Sequence, residues 1–205
     1  MRRLDCLQIL AACLDEQALS VTSLSSNANM WRSLWQRGPA FLGMNMGLCL
    51  PFAAGLSVAF PERKVIALDS DGGLMVDPSS LILLAAVNPP NLVAIVFDNQ
   101  AYAVMGPTAT REVTDLEKMA QGAGIRRTAT VRTLDEFREV VTEAVAGNKL
   151  CFVVARVETE QERFQSAFGR MSERGMKEAF VQALARLPDY QGGAYAAPPA
   201  REPEP

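Results

Sequence analysis

Two patterns alternate along this chain: apolar positions at helical spacing, and short unbroken apolar runs of strand length. Leu4 to Leu14 reads as an amphipathic helix, and Ala18 to Leu24 as a short strand. Met30 to Gln36 is expected to be helical, Ala40 to Gly43 a weak strand, and Gly47 to Ala59 a helix of small and apolar residues. Pro51 falls in the first turn of that last helix, where its missing N–H has no intrahelical partner to lose. Lys64 to Asp69 (KVIALD) is a buried strand, and Ser79 to Val87 a helix stopped by Asn88-Pro89-Pro90. Asn91 to Asp98 (NLVAIVFD) is the strongest strand pattern in the sequence. Asp115 to Ala123 is a helix, Thr128 to Val131 a strand, and Thr133 to Ala146 a helix opened by a threonine cap. Leu150 to Val157 (LCFVVARV) is the last strand.

Continuous apolar strands separated by helices predict an α/β fold, a three-layer sandwich with a mostly parallel sheet covered by helices on both faces. Gln161 to Leu187 adds one or two helices, so residues 1–187 are expected to form one domain. From Pro188 the composition turns to Gly, Pro and Ala and ends REPEP, which predicts a disordered tail over residues 188–205. Folds of this kind bind ligands beyond the carboxyl ends of their strands.

Composition narrows the chemistry. At 205 residues, 49% hydrophobic and 21% charged, the chain suits one soluble globular domain. A net charge of −3 gives no electrostatic footprint for nucleic acid. Asp5, Gln8 and Asp15 interrupt the apolar start, so a secretory signal is not expected, and no apolar run reaches membrane-spanning length. Cys6, Cys13, Cys49 and Cys151 are scattered without a CxxC pair, which disfavours disulfides and metal clusters and points to the cytoplasm. Histidine is absent, and with it the commonest general base and metal ligand. Chemistry falls to carboxylates, to a cofactor, or to residues of another subunit.

The informative residues sit where the two best strands end. The first runs into Asp69-Ser70-Asp71-Gly72-Gly73, the second into Asp98-Asn99-Gln100-Ala101-Tyr102. An aspartate and an asparagine on one sheet edge offer hard oxygen ligands of the kind Mg²⁺ takes beside phosphate oxygens and water. Two glycines allow close backbone approach to a phosphate at a helix start. Each segment by itself also reads as an ordinary polar turn leaving a sheet.

Together the segments resemble the paired motif of thiamine-diphosphate-dependent enzymes, GDG followed by NN, at closely matching spacing; Asp71 and Asn99 lie 28 positions apart (99 − 71). The resemblance implies that Asp71 and Asn99 ligate Mg²⁺ through their side chains and Ala101 through its main-chain carbonyl. Two diphosphate oxygens and a water would complete an octahedron. Ser70, Gly72, Gly73 and Tyr102 would lie on the cofactor. A third stretch, Met44-Asn45-Met46-Gly47-Leu48-Cys49-Leu50-Pro51 followed by Phe52-Ala53-Ala54-Gly55, is similar to the family's G-x-M-G-x-x-x-P-x-A-x-G. It implies that Met44 and Asn45 also touch the cofactor and that Met46 is the apolar wedge bending it. The bend brings the 4′-amino nitrogen of the pyrimidine beside C2 of the thiazolium, where the cofactor's carbanion chemistry starts. Read without the other motifs, Met46 is core filler, as most methionines are.

The resemblance spans Val21 to about Val157 and is nearest to sulfopyruvate decarboxylase beta-type subunits and the matching part of phosphonopyruvate decarboxylase. Asn88-Pro89-Pro90-Asn91-Leu92, Thr114-Asp115-Leu116 and Gln121-Gly122-Ala123-Gly124-Ile125 support that subgroup. Departures surround the ligands without removing one: Ser70 for the first glycine, Gly73 for a serine, Asp98 for the first asparagine, Ala101 for a glycine and Met44 for a glycine. The family's separate pyrimidine-binding domain, with its glutamate, would need roughly 150 residues, for which this chain leaves no space. The implied solution is a hetero-oligomer in which a partner subunit supplies the pyrimidine domain and that glutamate.

The expected activity is that of a lyase, non-oxidative decarboxylation of a small 2-oxo acid. Acetolactate-synthase-like carboligation shares the same domain, a ferredoxin-linked oxidoreductase lacks its iron–sulfur cysteines here, and a degenerate non-catalytic module is the reading from another class. Residues 106–110 with Arg111 either meet an anionic substrate tail or form a solvated loop. Leu48, Leu50 and Phe52 are expected to expose an apolar face to the partner.

Overall fold

The computed structural model describes residues 1–102, 106–111, 113–159 and 172–192. Strands β1 (Leu19–Ser23), β2 (Ala40–Met44), β3 (Val65–Ser70), β4 (Leu92–Asp98), β7 (Thr128–Val131) and β8 (Cys151–Arg156) form one sheet in the order β2-β1-β3-β4-β8-β7. Each neighbouring pair is parallel. A two-stranded antiparallel ribbon, β5 (Ala101–Tyr102) with β6 (Gly106–Pro107), stands apart beyond β4.

Side chains alternate across the central strands because successive Cβ atoms point to opposite faces. Val65, Ala67, Leu92, Ala94, Val96, Phe152 and Val154 enter one core, with α3 (Cys49–Ala59), α5 (Ser80–Val87), α6 (Leu116–Gly122) and α8 (Glu173–Leu184) contributing to it. Ile66, Leu68, Val93, Ile95, Phe97, Cys151 and Val153 enter the other, with α1 (Arg3–Cys13), α2 (Ser26–Leu34) and α7 (Leu134–Ala146). The three-layer α/β sandwich is therefore as expected, and the double-sided apolar strands are its cause. The threonine cap also holds: Thr133 and Glu136 form a reciprocal capping box on α7.

Helix α2 starts at Ser26, four residues before the expected Met30. Its first turn hides behind polar residues, since the buried Asn27 amide donates to Ser23 Oγ at 2.9 Å and to the Asp69 carbonyl at 2.9 Å, while Arg3 donates to its oxygen at 2.8 Å. Hydropathy does not register a buried asparagine with partners. Leu50 is buried in the core, and Phe52 packs against Phe41 and Phe180, so of the expected apolar face only Leu48 is exposed. The sequence pattern did not resolve which side of α3 faces the sheet.

Of the tail expected to be disordered, residues 188–192 are described, and the Asp189 carboxylate takes two hydrogen bonds from Arg63 Nε at 2.7 and 2.9 Å. Residues 193–205 lie outside the described residues, as do residues 160–171 of the expected C-terminal helices. Among the described residues no helix is long and apolar enough to cross a membrane.

Candidate cofactor site

β3 and β4 lie side by side, Ser70 paired with Phe97, so the residues leaving their carboxyl ends meet above the middle of the sheet. From β3 the chain passes directly into the short helix α4 (Asp71–Val76). Ser70 Oγ accepts the Gly73 N–H at 3.0 Å and caps that helix. Asp69 Oδ1 accepts the Ser70 N–H at 2.8 Å and occupies the space that a Cβ on Gly73 would need. A Cβ on Gly72 would come 2.6 Å from the Tyr102 ring. Packing within the chain thus already demands both glycines, and the Gly73 N–H is engaged by Ser70.

β4 ends at Asp98, after which Gln100 adopts a left-handed φ of +60°. Asn99 Oδ1 accepts the Ala101 N–H at 3.2 Å, an Asx turn that holds the second motif in shape. The β5–β6 ribbon then returns the chain, and Thr108 and Thr110, both buried, meet Asp71. Thr108 Oγ1 lies 2.7 Å from Asp71 Oδ2, and Thr110 Oγ1 lies 3.1 Å from both Asp71 Oδ2 and Asp98 Oδ1. The two hydroxyl oxygens are 2.6 Å apart. Arg156, at the end of β8, pairs with Asp98 Oδ2 at 2.8 Å.

The arrangement is short of positive charge. Asp69, Asp71 and Asp98 are each 1% exposed. Each threonine hydroxyl has one proton to give, so two protons serve the four oxygen–oxygen contacts just described. Asp71 Oδ1 is buried with no hydrogen-bond partner, a costly condition for a carboxylate. Burial pushes the Asp69 carboxyl up to about 7, the Asp71 charge adding to this while the Ser70 N–H and Ser23 hydroxyl oppose it. Burial also raises Asp98, opposed by Arg156 and reinforced by Asp71. A cation beside Asp71 Oδ1 would relieve all three carboxylates, so the residues present fit one. Among the described residues no three His, Cys, Asp or Glu side chains converge on one metal position. An ion held by one carboxylate, an amide oxygen, a carbonyl and phosphate oxygens requires no such cluster.

The third motif lies at the end of β2, on the same edge of the sheet. Met44 packs on the α3-side core, Asn45 is exposed, and Met46 is half-buried and belongs to neither core cluster. Gly47, at φ +82°, places its turn on the end of α4, where a Cβ would come 3.1 Å from Asp77 Cβ. The structure therefore gathers Ser70, Asp71, Gly72, Gly73 and Tyr102 with Asp98, puts Asn99 and Ala101 on the neighbouring strand end, and sets Met44 to Met46 two strands away. A cavity of about 460 Å³ bounded by Gln17, Arg37, Arg63 and Leu187 lies at the opposite, amino end of the sheet, away from these residues.

Thr108, Thr110 and Arg156 were not expected. The stretch 106–110 is neither solvated throughout nor turned wholly outward: Thr108 and Thr110 are buried while Gly106, Pro107, Ala109 and Arg111 are exposed. Thr108 leads into a short 3₁₀ turn, Ala109–Arg111, that contains Thr110, and neither strand nor helix periodicity marks such a segment in the sequence.

Residues 26–155 match the family described as thiamine pyrophosphate enzyme, C-terminal TPP binding domain, and the chain belongs to that family. It is 33% identical over 114 residues to the sulfopyruvate decarboxylase subunit beta of Methanocaldococcus jannaschii, covering 55% of this chain and 60% of that protein. With the sulfopyruvate decarboxylase of Methanosarcina acetivorans it shares 32% identity over 156 residues, 75% of this chain and 40% of the relative. The chain thus spans between 40% and 60% of the length of these curated relatives. The crystal structure of benzoylformate decarboxylase from Polynucleobacter necessarius superposes with a TM-score of 0.69 at 18% identity, covering 80% of this chain and 34% of that one, which shows the common fold.

Proposed function

We propose that the chain is the diphosphate- and Mg²⁺-holding subunit of a thiamine-diphosphate-dependent 2-oxo acid decarboxylase of the sulfopyruvate or phosphonopyruvate type, completed by a subunit that carries the pyrimidine domain. The observation that carries this reading is the bare, buried Asp71 Oδ1 at the edge where β3 and β4 end. Asp71 supplies the charged ligand, Asn99 and Ala101 supply neutral oxygens from the adjacent strand end, and Met46 supports the bend of the cofactor. Bound thiamine diphosphate supplies the carbanion chemistry that the chain, without histidine, does not. The chain's own part is electrostatic and geometric: it anchors the anionic end and fixes where the reactive ring points.

A partner is supported by two features. Leu24 just after β1, Leu48 just before α3 and Val76 at the end of α4 leave apolar surface exposed around the carboxyl edge. The relative from Methanocaldococcus jannaschii is itself named as a beta subunit. The test is turnover. The chain alone, with Mg²⁺ and excess cofactor, is expected to decarboxylate no 2-oxo acid, and addition of the pyrimidine-domain subunit is expected to start CO₂ release from sulfopyruvate or phosphonopyruvate. Robust CO₂ release by the isolated chain, with contaminating partner excluded by mass spectrometry, would contradict the divided site.

A further inference from the structure

We infer that Thr108 and Thr110 are positioning residues for the metal ligand: they hold one oxygen of Asp71 so that the other is presented to the cation. The inference rests on the reading of Asp71 as that ligand. A free carboxylate rotates about its Cβ–Cγ bond and exchanges its two oxygens, which costs a metal site order and affinity. Here Oδ2 takes hydroxyl contacts at 2.7 Å from Thr108 and 3.1 Å from Thr110. Oδ1 is left without a partner. The asymmetry is sharp, because the two oxygens of one buried carboxylate have opposite surroundings.

The hydroxyls are themselves held in place. Gln100, in its left-handed turn, fixes both ends of the return segment: its carbonyl accepts the Thr108 N–H at 3.0 Å, and its side-chain amide donates to the Thr110 carbonyl at 3.4 Å. Thr110 also lies 3.1 Å from Asp98 Oδ1, and Asp98 is anchored by Arg156 at 2.8 Å. Asp71 is thereby tied through Thr110 to the strand that carries Asn99, so the two sides of the metal site share one hydroxyl. Ligands oriented by such outer partners bind their metal more tightly, and losing an outer partner typically costs about 10–100-fold in affinity. Thr108 and Thr110 touch the ligand, not the reacting atoms, and act through Asp71.

Calorimetric titration of Mg²⁺ into the full chain in the presence of excess thiamine diphosphate tests the assignment. T108V and T110V keep the side-chain shape and lose the hydroxyl; each is expected to weaken Mg²⁺ about 10–100-fold. T108S and T110S restore the hydroxyl and are expected to recover affinity to within about threefold of wild type, which a role confined to packing of the methyl group would not produce. Circular dichroism checks that each variant is folded. Where a valine variant does not fold, the serine variant decides: wild-type affinity supports the assignment, and a loss of tenfold or more overturns it. Valine variants that bind Mg²⁺ within twofold of wild type also overturn it. Wild type that takes up no Mg²⁺ overturns instead the assignment of Asp71 as ligand, and this inference with it.

Discussion

The two ends of the sheet treat buried polar groups in opposite ways. At the amino end the Arg63 guanidinium is met by Asp189 and by the Gln17 carbonyl, and the two protons of the Asn91 amide are shared among the carbonyls of Ser57, Phe60 and Arg63 at 3.2, 2.9 and 2.8 Å. The unpartnered atoms there, Asn91 Oδ1 and Trp35 Nε1, are neutral. At the carboxyl end Asp69, Asp71 and Asp98 crowd together with Arg156 as counter-charge, and the atoms without a hydrogen-bond partner are charged-group atoms, among them Asp71 Oδ1, which has no ion pair either. A buried charge left bare costs far more than a bare amide. The amino end is arranged for stability, and the carboxyl end holds the uncompensated charge that the proposed function assigns to a cation.

Substitutions at the two ends should therefore separate binding from stability. Asp71→Ala has the largest expected effect: Mg²⁺-dependent cofactor binding is abolished while the circular dichroism spectrum and cooperative melting are retained. Uptake at wild-type affinity by that variant would remove the metal site. Asp69→Asn acts on stability through pH. The folded carboxyl, near 7, sits above its unfolded value of about 3.9, so the folded state holds the extra proton between those values. In the metal-free chain, stability from this group is full below about pH 4 and falls as pH rises toward 7. Asp69→Asn should flatten that fall, gaining up to about 4 kcal/mol at pH 8 and almost nothing at pH 4, as read by urea denaturation. An unchanged pH profile would show that Asp69 titrates normally.

Asn91→Ala, at the other end, is expected to cost about 2–4 kcal/mol by leaving three buried carbonyls without their shared amide donor, and to leave the cofactor affinity of the folded fraction unchanged. A drop in affinity would break the separation of the two ends. Met46→Ala is the mildest change. Half-buried and outside both cores, Met46 should leave diphosphate binding nearly intact while slowing C2 proton exchange in the assembled enzyme. Exchange at the wild-type rate would reduce Met46 to a filler of space.

The sheet was legible because KVIALD and NLVAIVFD are short, β-branched runs apolar at consecutive positions and bounded by turn residues, the pattern of a strand covered on both faces. The chemistry at their ends was legible because aspartate, glycine and asparagine are short residues whose turn and ligand roles depend on near neighbours in sequence. Thr108 and Thr110 were not, since their partners Asp71 and Asp98 lie 37 and 12 positions away and only folding brings them together. The start of α2 was hidden for the same reason: Asn27 is buried by bonds to Arg3 and to the end of β3, 24 and 42 positions away. In the sequence the residues at 70 and 73 stand as two separate departures, one adding a side chain and one losing a hydroxyl, whereas in the structure Ser70 caps the Gly73 N–H and Asp69 fills the space beside Gly73. Those two departures are one adjustment.

The most direct test of the account is a calorimetric titration of thiamine diphosphate into the wild-type chain, run once with Mg²⁺ and once with EDTA. An edge built around a missing cation should give saturable binding with Mg²⁺ and none with the chelator. Binding of equal strength in both, or in neither, would contradict the assignment of the carboxyl edge as a metal–diphosphate site.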